Sequence, residues 1–419
     1  MYLYNKQTKE EILKRMHIRN LRPWQVEPLR AIQQGQDTFV SMSTGGGKSL
    51  LYQLPAAMEE GRSLTIVISP LRSLQRDQVE ALDRKHIRAA CINSDLSGPE
   101  RRKILAELPR YALLYAAPEQ LPSRDLKQAL TACHVERVVV DEAHVLPLTE
   151  LDFRTAYGKI GAFIQALPER PQIVACTATA TAKDRRRIIQ ALGMRNAAVF
   201  VFPIRRKNLR LSIKKVSVKR GSHKKTRLEH RLMQAVERYL EKWDGDGAVI
   251  IYTPTAKRAK RLCRWLKGRG WPAAQYTGRR SQEKRRKAQE SFQSGKKPIM
   301  VATNAFGLGI DKADVRLIIH AGLPLSLDGY VQEIGRAGRD GKKSKCVLLY
   351  TAADLALNER LLRKSENEEA VCRKLDGLYA LRDLVESDKC IWKSIEKYFG
   401  EKPAGKCGRC SHCKSKVHE

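Results

Sequence analysis

Short, unbroken apolar runs recur along the chain, separated by charged stretches of helix length. From Asp37 to Tyr350 they read TFVSMS, SLTIVISP, YALLYAAP, ERVVVDEAH and QIVACTATA, then, after a gap, GAVIIYTP, KPIMVATN, VRLIIHAG and KCVLLYT. A strand with one face in water alternates apolar and polar residues, and these runs do not. The pattern predicts parallel strands buried on both faces under amphipathic helices, an α/β architecture of two tandem parallel-sheet lobes. The gap marks the join. No Asp or Glu occurs between Asp184 and Glu229, and eleven Lys or Arg fall between Arg205 and Arg227. The expected division is a first lobe over 1–203, a second over 204–350 and, where the pattern turns helical from Ala352, a small helical domain over 351–419.

Composition sharpens this picture. With 419 residues and 42 % apolar content the chain builds sizeable cores, while a formal charge of +34 points to a polyanionic partner. Ten cysteines are too sparse for a disulfide framework, and Cys91, Cys133, Cys176, Cys263, Cys346 and Cys372 read as small buried apolar residues. The N-terminus MYLYNKQTKEEILKRM is charged and lacks a secretory core, and no apolar stretch approaches the roughly 20 residues a membrane helix needs. The expectation is a soluble protein of a reducing, cytoplasmic compartment with no membrane partner.

Three stretches carry chemistry. FVSMSTGGGKSLLYQ is a strand, a glycine-rich turn and a helix. Gly45, Gly46 and Gly47 let backbone N–H groups close around phosphates, Lys48 reaches the β/γ-phosphates and the Ser49 hydroxyl suits Mg²⁺, although Met42 stands where the strict pattern has glycine. VVVDEAHVL delivers Asp141, suited to holding Mg²⁺ through water, and Glu142, suited to general base, to the carboxyl end of a strand. In YVQEIGRAGRDG, a helical reading puts Gln332, Arg336 and Arg339 about a turn apart on one face, as charge stabilisation in phosphoryl transfer requires. The C-terminal KCGRCSHCKSKVHE adds Cys407, Cys410 and Cys413, three thiols of a four-ligand zinc site.

LRPWQ, STGGGKS, SPLRSLQRDQ, YAAPEQL, DEAH, TATAT, VATNAFGLGIDK and YVQEIGRAGRDG stand in the order found in superfamily 2 helicases. From Leu21 to Cys413 the chain resembles the RecQ family of DNA helicases. That resemblance implies two RecA-like lobes followed by a helical zinc-binding platform, with ATP, Mg²⁺ and Zn²⁺ as cofactors. It implies that Arg22 and Gln25 read adenine, and that Thr44 to Ser49 with Asp141 and Glu142 bind and cleave ATP–Mg²⁺. Thr177 and Thr179 couple hydrolysis to movement, Gln332, Arg336 and Arg339 complete the site with one arginine as finger, and Asp311 contacts ribose or the coupling network. Arg72, Thr303 and Asn304 lie where the family touches DNA. Cys390 becomes the fourth zinc ligand beside Cys407, Cys410 and Cys413, with His412 and His418 as competing ligands.

The chain departs from the family in three places. Ile18 replaces an aromatic residue expected on adenine. VLPLTELDFRTAY replaces an aromatic-rich loop, leaving Phe153 and Arg154 to meet DNA. The sequence ends six residues after Cys413, before the winged-helix domain the family often carries. The implied activity is an ATP-dependent 3′-to-5′ DNA helicase of repair and recombination, acting on single strands and single/double-strand junctions, monomeric, and nucleoid-associated if bacterial. A translocase or annealing ATPase with little unwinding, an RNA helicase and an idle nucleic-acid scaffold are the competing readings.

Overall fold

Every pair of neighbouring strands in the computed structural model runs parallel, in two separate sheets. The structure describes residues 6–43, 45–70, 72–146, 159–217, 224–306, 312–363 and 368–414. The chain divides into two compact units, Met1–Phe202 and Pro203–Glu419.

In the first unit β1 (Thr38–Ser41), β2 (Leu64–Ile68), β3 (Ala89–Ile92), β4 (Leu113–Ala116), β5 (Val135–Val140), β6 (Gln172–Thr177) and β7 (Ala198–Val201) lie in the order β3-β4-β2-β5-β6-β1-β7. The apolar runs are continuous because alternate residues feed two cores. Phe39, Ile66, Val138 and Ile173 enter one, and Val40, Val67, Val139 and Val174 the other. Placing β6 between β5 and β1 sets the three segments that follow these strands side by side at the carboxyl edge, where open α/β sheets hold ligands. Beneath that edge Arg137, 1 % exposed, forks onto Glu59 at 3.0 and 3.2 Å and donates to Gln172 at 2.7 Å, so this buried charge is fully partnered.

The second unit contains β8 (Leu209–Lys215), β9 (Ala248–Tyr252), β10 (Ala273–Tyr276), β11 (Ile299–Ala302), β12 (Val315–Ala321) and β13 (Ser344–Tyr350), in the order β10-β11-β9-β12-β13-β8. The C-terminal helices share its core. Ile391, Trp392, Ile395 and Phe399 from the Cys390–Phe399 region pack in one cluster with Leu209, Leu211, Ile213, Cys346 and Leu348. Polar ties reinforce this: Arg205 Nε lies 2.7 Å from Glu396 Oε1, Ile204 N donates to Glu401 at 2.9 Å, and Ile213 N donates to Ser411 Oγ at 3.0 Å. Among the described residues no helix is long and apolar enough to cross a membrane.

Candidate nucleotide and zinc sites

The turn after β1 needs glycine for two reasons. Gly45 and Gly47 take φ of +81° and +85°, and a Cβ on Gly46 would meet the Met42 side chain at 2.5 Å. The start of helix Pro23–Gln33 grips this turn through three successive carbonyls. Arg22 Nη1 donates to Gly45 O at 2.7 Å, Trp24 Nε1 to Gly46 O at 3.0 Å and Gln25 Nε2 to Gly47 O at 3.1 Å. Gln25 is oriented for this by its own helix start, since Arg22 N donates to its Oε1 at 2.9 Å. In a trans peptide N–H opposes C=O, so the grip on Gly46 and Gly47 turns the N–H groups of Gly47 and Lys48 to the opposite side, as phosphate contact requires. Lys48 Nζ donates to Met42 O at 3.0 Å. Trp24 was not distinguished from sequence; its place between Arg22 and Gln25 was the available signal. Ile18 packs at the edge of the apolar core.

At the end of β5, Asp141 N donates to Ile68 O at 2.9 Å, and Glu142 N donates back to Asp141 Oδ1 at 3.0 Å. Glu142 sits in the left-handed region at φ 53°, a conformation that costs a non-glycine residue about 1–3 kcal/mol and aims its side chain off the strand. Burial, then the neighbouring Glu142 carboxylate, push Asp141 up to about 7 against the opposing charge of Lys48. Two crowded carboxyl groups withdrawn from water fit a divalent cation, and Asp141 with Ser49 offers the hard oxygen donors Mg²⁺ takes. Glu142 Oε2 is buried without a hydrogen bond, 3.3 Å from His144 Nδ1. That nitrogen is 3.1 Å from Thr177 Oγ1, whose proton goes to Thr179 O at 2.9 Å. The hydroxyl can then only accept from His144, which places a proton on Nδ1. Thr179 N closes the network onto Thr177 Oγ1 at 3.2 Å.

The second unit corrects the helical reading of YVQEIGRAGRDG. Helix Leu327–Ile334 holds Gln332 but ends before Gly335, and Arg336 and Arg339 lie in the turns beyond it. Gly335 caps the helix, and a second glycine shapes the turns beyond it. Gly338 has φ +54°, and a Cβ there would meet Asn208 Nδ2 at 2.6 Å and Lys342 O at 2.7 Å. The turn is tied from outside, by Arg206 on Gly335 O at 2.9 Å and by Asn208 Nδ2 on Gly338 O and Lys342 O, each at 2.9 Å. Arg336 is buried in the same region as Tyr252, whose hydroxyl is raised well above its ordinary range, first by burial, with Arg336 opposing. Behind them His320 Nε2 meets Glu333 Oε2 at 2.8 Å.

The residues expected on DNA are spread over both units. Arg72 Nη1 donates to Asp95 Oδ1 at 2.7 Å and Ser94 Oγ at 2.8 Å. Thr303 is buried and Asn304 exposed just after β11. Thr44, Phe153, Arg154 and Asp311 lie outside the described residues.

At the C-terminus the sulfurs of Cys390, Cys407, Cys410 and Cys413 all lie within 4.8 Å of one another. Tetrahedral Zn–S bonds of about 2.3 Å place sulfurs about 3.8 Å apart, and Cys407 and Cys413 stand 3.9 Å apart. Burial raises the Cys390 thiol, but backbone N–H groups of Lys393 and Cys407 and the neighbouring thiols outweigh it and bring it down to about 7. The donor set fits zinc. His412 Nδ1 instead meets Lys389 O at 2.8 Å, and His418 lies outside the described residues.

Three family models match consecutive stretches: DEAD/DEAH box helicase over residues 22–188, helicase conserved C-terminal domain over 231–341, and RecQ zinc-binding over 352–414. The chain is 38 % identical over 395 residues to an ATP-dependent DNA helicase RecQ of Bacillus subtilis, with 94 % of this chain and 64 % of that protein covered. To the protein of the same name from Pasteurella multocida it is 34 % identical over 397 residues, covering 94 % and 60 %. Among solved structures, the Mycobacterium smegmatis helicase Lhr bound to ssDNA and AMP-PNP aligns with 92 % of this chain and 58 % of that one, at a TM-score of 0.67 and 21 % identity, a likeness of fold. The chain thus spans less than two thirds of the length of those curated relatives. The order of the three models, and the identity sustained across all of them, make this chain a member of the RecQ family.

Proposed function

We propose that the chain is an ATP-driven DNA motor that moves 3′ to 5′ along one strand and separates the duplex, in the cytoplasm and in repair or recombination. The observation that carries this reading is the chain His144–Thr177–Thr179, which ends 3.3 Å from Glu142 Oε2. A static phosphate site does not need its general base wired to the next strand end, whereas a motor does. In this reading Arg22 and Gln25 hold adenine, and the loop Thr44–Ser49 takes the phosphates, with Lys48 exchanging Met42 O for phosphate oxygen. Ser49 and Asp141 would hold Mg²⁺, which would supply charge neutralisation on the phosphates. Glu142 accepts the proton of the attacking water, and Gln332, Arg336 and Arg339 stabilise the phosphoryl charge. Asp311 contacts the nucleotide; Arg72, Phe153, Arg154, Thr303 and Asn304 contact the strand. Zinc on the four cysteines is structural, since four thiolates leave no open coordination position.

The test compares ATP hydrolysis with single-stranded, duplex and forked DNA and with RNA, alongside strand displacement from 3′- and 5′-tailed duplexes. Stimulation by DNA over RNA with displacement from the 3′ tail supports the reading. Hydrolysis without displacement from either tail replaces it with a translocase or annealing ATPase, and stimulation by RNA alone with an RNA motor.

A further inference from the structure

The outer edge of the second sheet carries positive charge that its own side chains do not neutralise. β8 is the edge strand, and its pairing with β13 puts Arg210 opposite Lys345, with Lys214 opposite Leu349. Leu209, Leu211 and Ile213 alternate into the core, so Arg210 and Lys214 stand on the other face. Helix Lys224–Leu240 ends over that face. Its Tyr239 ring receives Lys345 Nζ at 4.6 Å and Lys214 Nζ at 5.9 Å from the centroid, and Lys242 follows the helix. Burial, then the charges of Arg210, Lys242 and Lys214, hold the Lys345 ammonium below its ordinary range. Among the described residues none of these four cations has a hydrogen-bond or ion-pair partner. Like charges on facing positions of adjacent strands repel. The helix C-terminus contributes about half a negative charge, far short of balancing four cations.

We propose that this edge is a second DNA surface that binds the phosphate backbone of the duplex. The proposal rests on the DNA-motor reading. Duplex is favoured over single strand because the Tyr239 ring has its face against ammonium groups and the half-buried Trp243 beside Lys242 packs on the apolar core with its Nε1 on Asp246 O at 2.7 Å, so neither ring is laid out for the base stacking of single-strand sites. What remains is Lys and Arg presented to phosphate without base readout. Arg210, Lys214 and Lys345 stand on paired strands, so the array is set before DNA arrives.

The experiment replaces Arg210, Lys214, Lys242 and Lys345 together by Gln in the full chain. A control variant replaces the exposed Lys257, Lys260, Lys284 and Lys296 by Gln. Binding to a blunt duplex of about 20 base pairs and to oligo-dT of about 20 nucleotides is measured against salt. Expected is a loss of about tenfold or more on duplex and a log–log salt slope smaller by about 3.6, at roughly 0.9 for each of the four phosphate contacts. Oligo-dT affinity and ATPase stimulation by oligo-dT stay within about threefold. Unchanged duplex binding, equal loss on both probes, or equal loss in the control overturns the proposal. Removing mutual repulsion should leave Tm unchanged or higher, and the single Lys345→Gln variant repeats the duplex measurement if the fourfold variant does not fold. A parent chain whose ATPase ignores single strands defeats the motor reading instead, which duplex binding does not test.

Discussion

Trp24 Nε1 donates to the carbonyl of Gly46, the middle of three glycine carbonyls held by one helix start. The phosphate loop is thereby oriented from outside its own sequence, by side chains that the family reading assigns to the base.

That grip predicts graded effects on nucleotide affinity. Gln25→Ala leaves Gly47 O and Arg22 N without their side-chain partner in a half-buried place, which costs about 1 kcal/mol or more. The KM for ATP should rise roughly tenfold or more, with kcat nearly kept. Trp24→Phe keeps the ring and loses one half-exposed bond, so a rise of a few-fold is expected. Steady-state ATPase kinetics check both, and an unaltered KM in Gln25→Ala removes the clamp from the nucleotide site.

Hydrolysis and its coupling should separate at Glu142 and His144. Glu142→Gln should bind ATP normally and lose multiple turnover, because an amide cannot take the water's proton. His144→Ala should retain basal hydrolysis and lose most DNA stimulation, since it removes the link to Thr177 and not the base. ATPase rates with and without oligo-dT distinguish the two. Full DNA stimulation in His144→Ala would route the coupling elsewhere.

The pH dependence follows from Asp141, raised to about 7 by burial and by Glu142. A carboxyl with a raised folded pKa binds more protons in the native than in the unfolded state. Its destabilising effect is therefore absent below the unfolded value, near 4, grows as pH rises to about 7, and is constant above. Asp141→Asn should raise Tm relative to the parent at pH 8 without Mg²⁺ and change it little at pH 4.5. Mg²⁺–ATP affinity of the parent should climb between pH 6 and 7.5 and then level off. Thermal melts and ATP titrations measure these, and a Tm difference independent of pH contradicts the assignment.

Much of this was legible in the sequence where chemistry is local. The long apolar strands, the phosphate loop and the Asp141–Glu142 strand end follow from contiguous residues. β8 escaped because LRLSIKK alternates, as an edge strand does, within the basic gap that read as the join between the lobes. Arg336 and Arg339 fell off the helical reading because spacing alone cannot show that the helix stops at Ile334 with Gly335 as its cap. The core that the helical segment shares with β8 was not legible, because its partners, Leu209 to Ile213, stand almost two hundred residues away in sequence.

That shared core sets the expected response to metal loss. One zinc per chain should be found. Cys410→Ala should release it and lower the Tm of the second unit, since Cys410 is fully buried beside Ile391 and Trp392 in the cluster that holds β8. Truncation after Tyr350 should give an aggregating product, because it uncovers Leu209, Leu211 and Ile213 together. Metal analysis with melts of the chelated protein provides the check. A chelated chain with unaltered stability contradicts a structural zinc.

The arginine turn offers the most discriminating test, because its shape depends on a residue far from the reaction. Asn208 Nδ2 divides its two protons between Gly338 O and Lys342 O, while Arg206 holds Gly335 O. Asn208→Ala removes the tie that joins Gly338 O to Lys342 O, leaving Arg206 and Gly341 N on the first and Ser344 Oγ on the second, without touching either arginine. Arg336 and Arg339 then lose a fixed aim, and a preorganised charge contributes to phosphoryl transfer only while its position is fixed. kcat should fall about ten- to a hundredfold, with the KM for ATP and DNA affinity nearly unaltered. Gly338→Ala should be more severe, since φ of +54° costs an L-residue about 1–2 kcal/mol and its methyl meets Lys342 O at 2.7 Å. Arg336→Lys should not restore the rate lost in Arg336→Ala, because an ammonium cannot reproduce the guanidinium fork. Single-turnover hydrolysis with and without DNA measures all four variants. A kcat unaffected by Asn208→Ala, with stability intact, would show that the turn keeps its shape without Asn208 and that Arg206 alone fixes it.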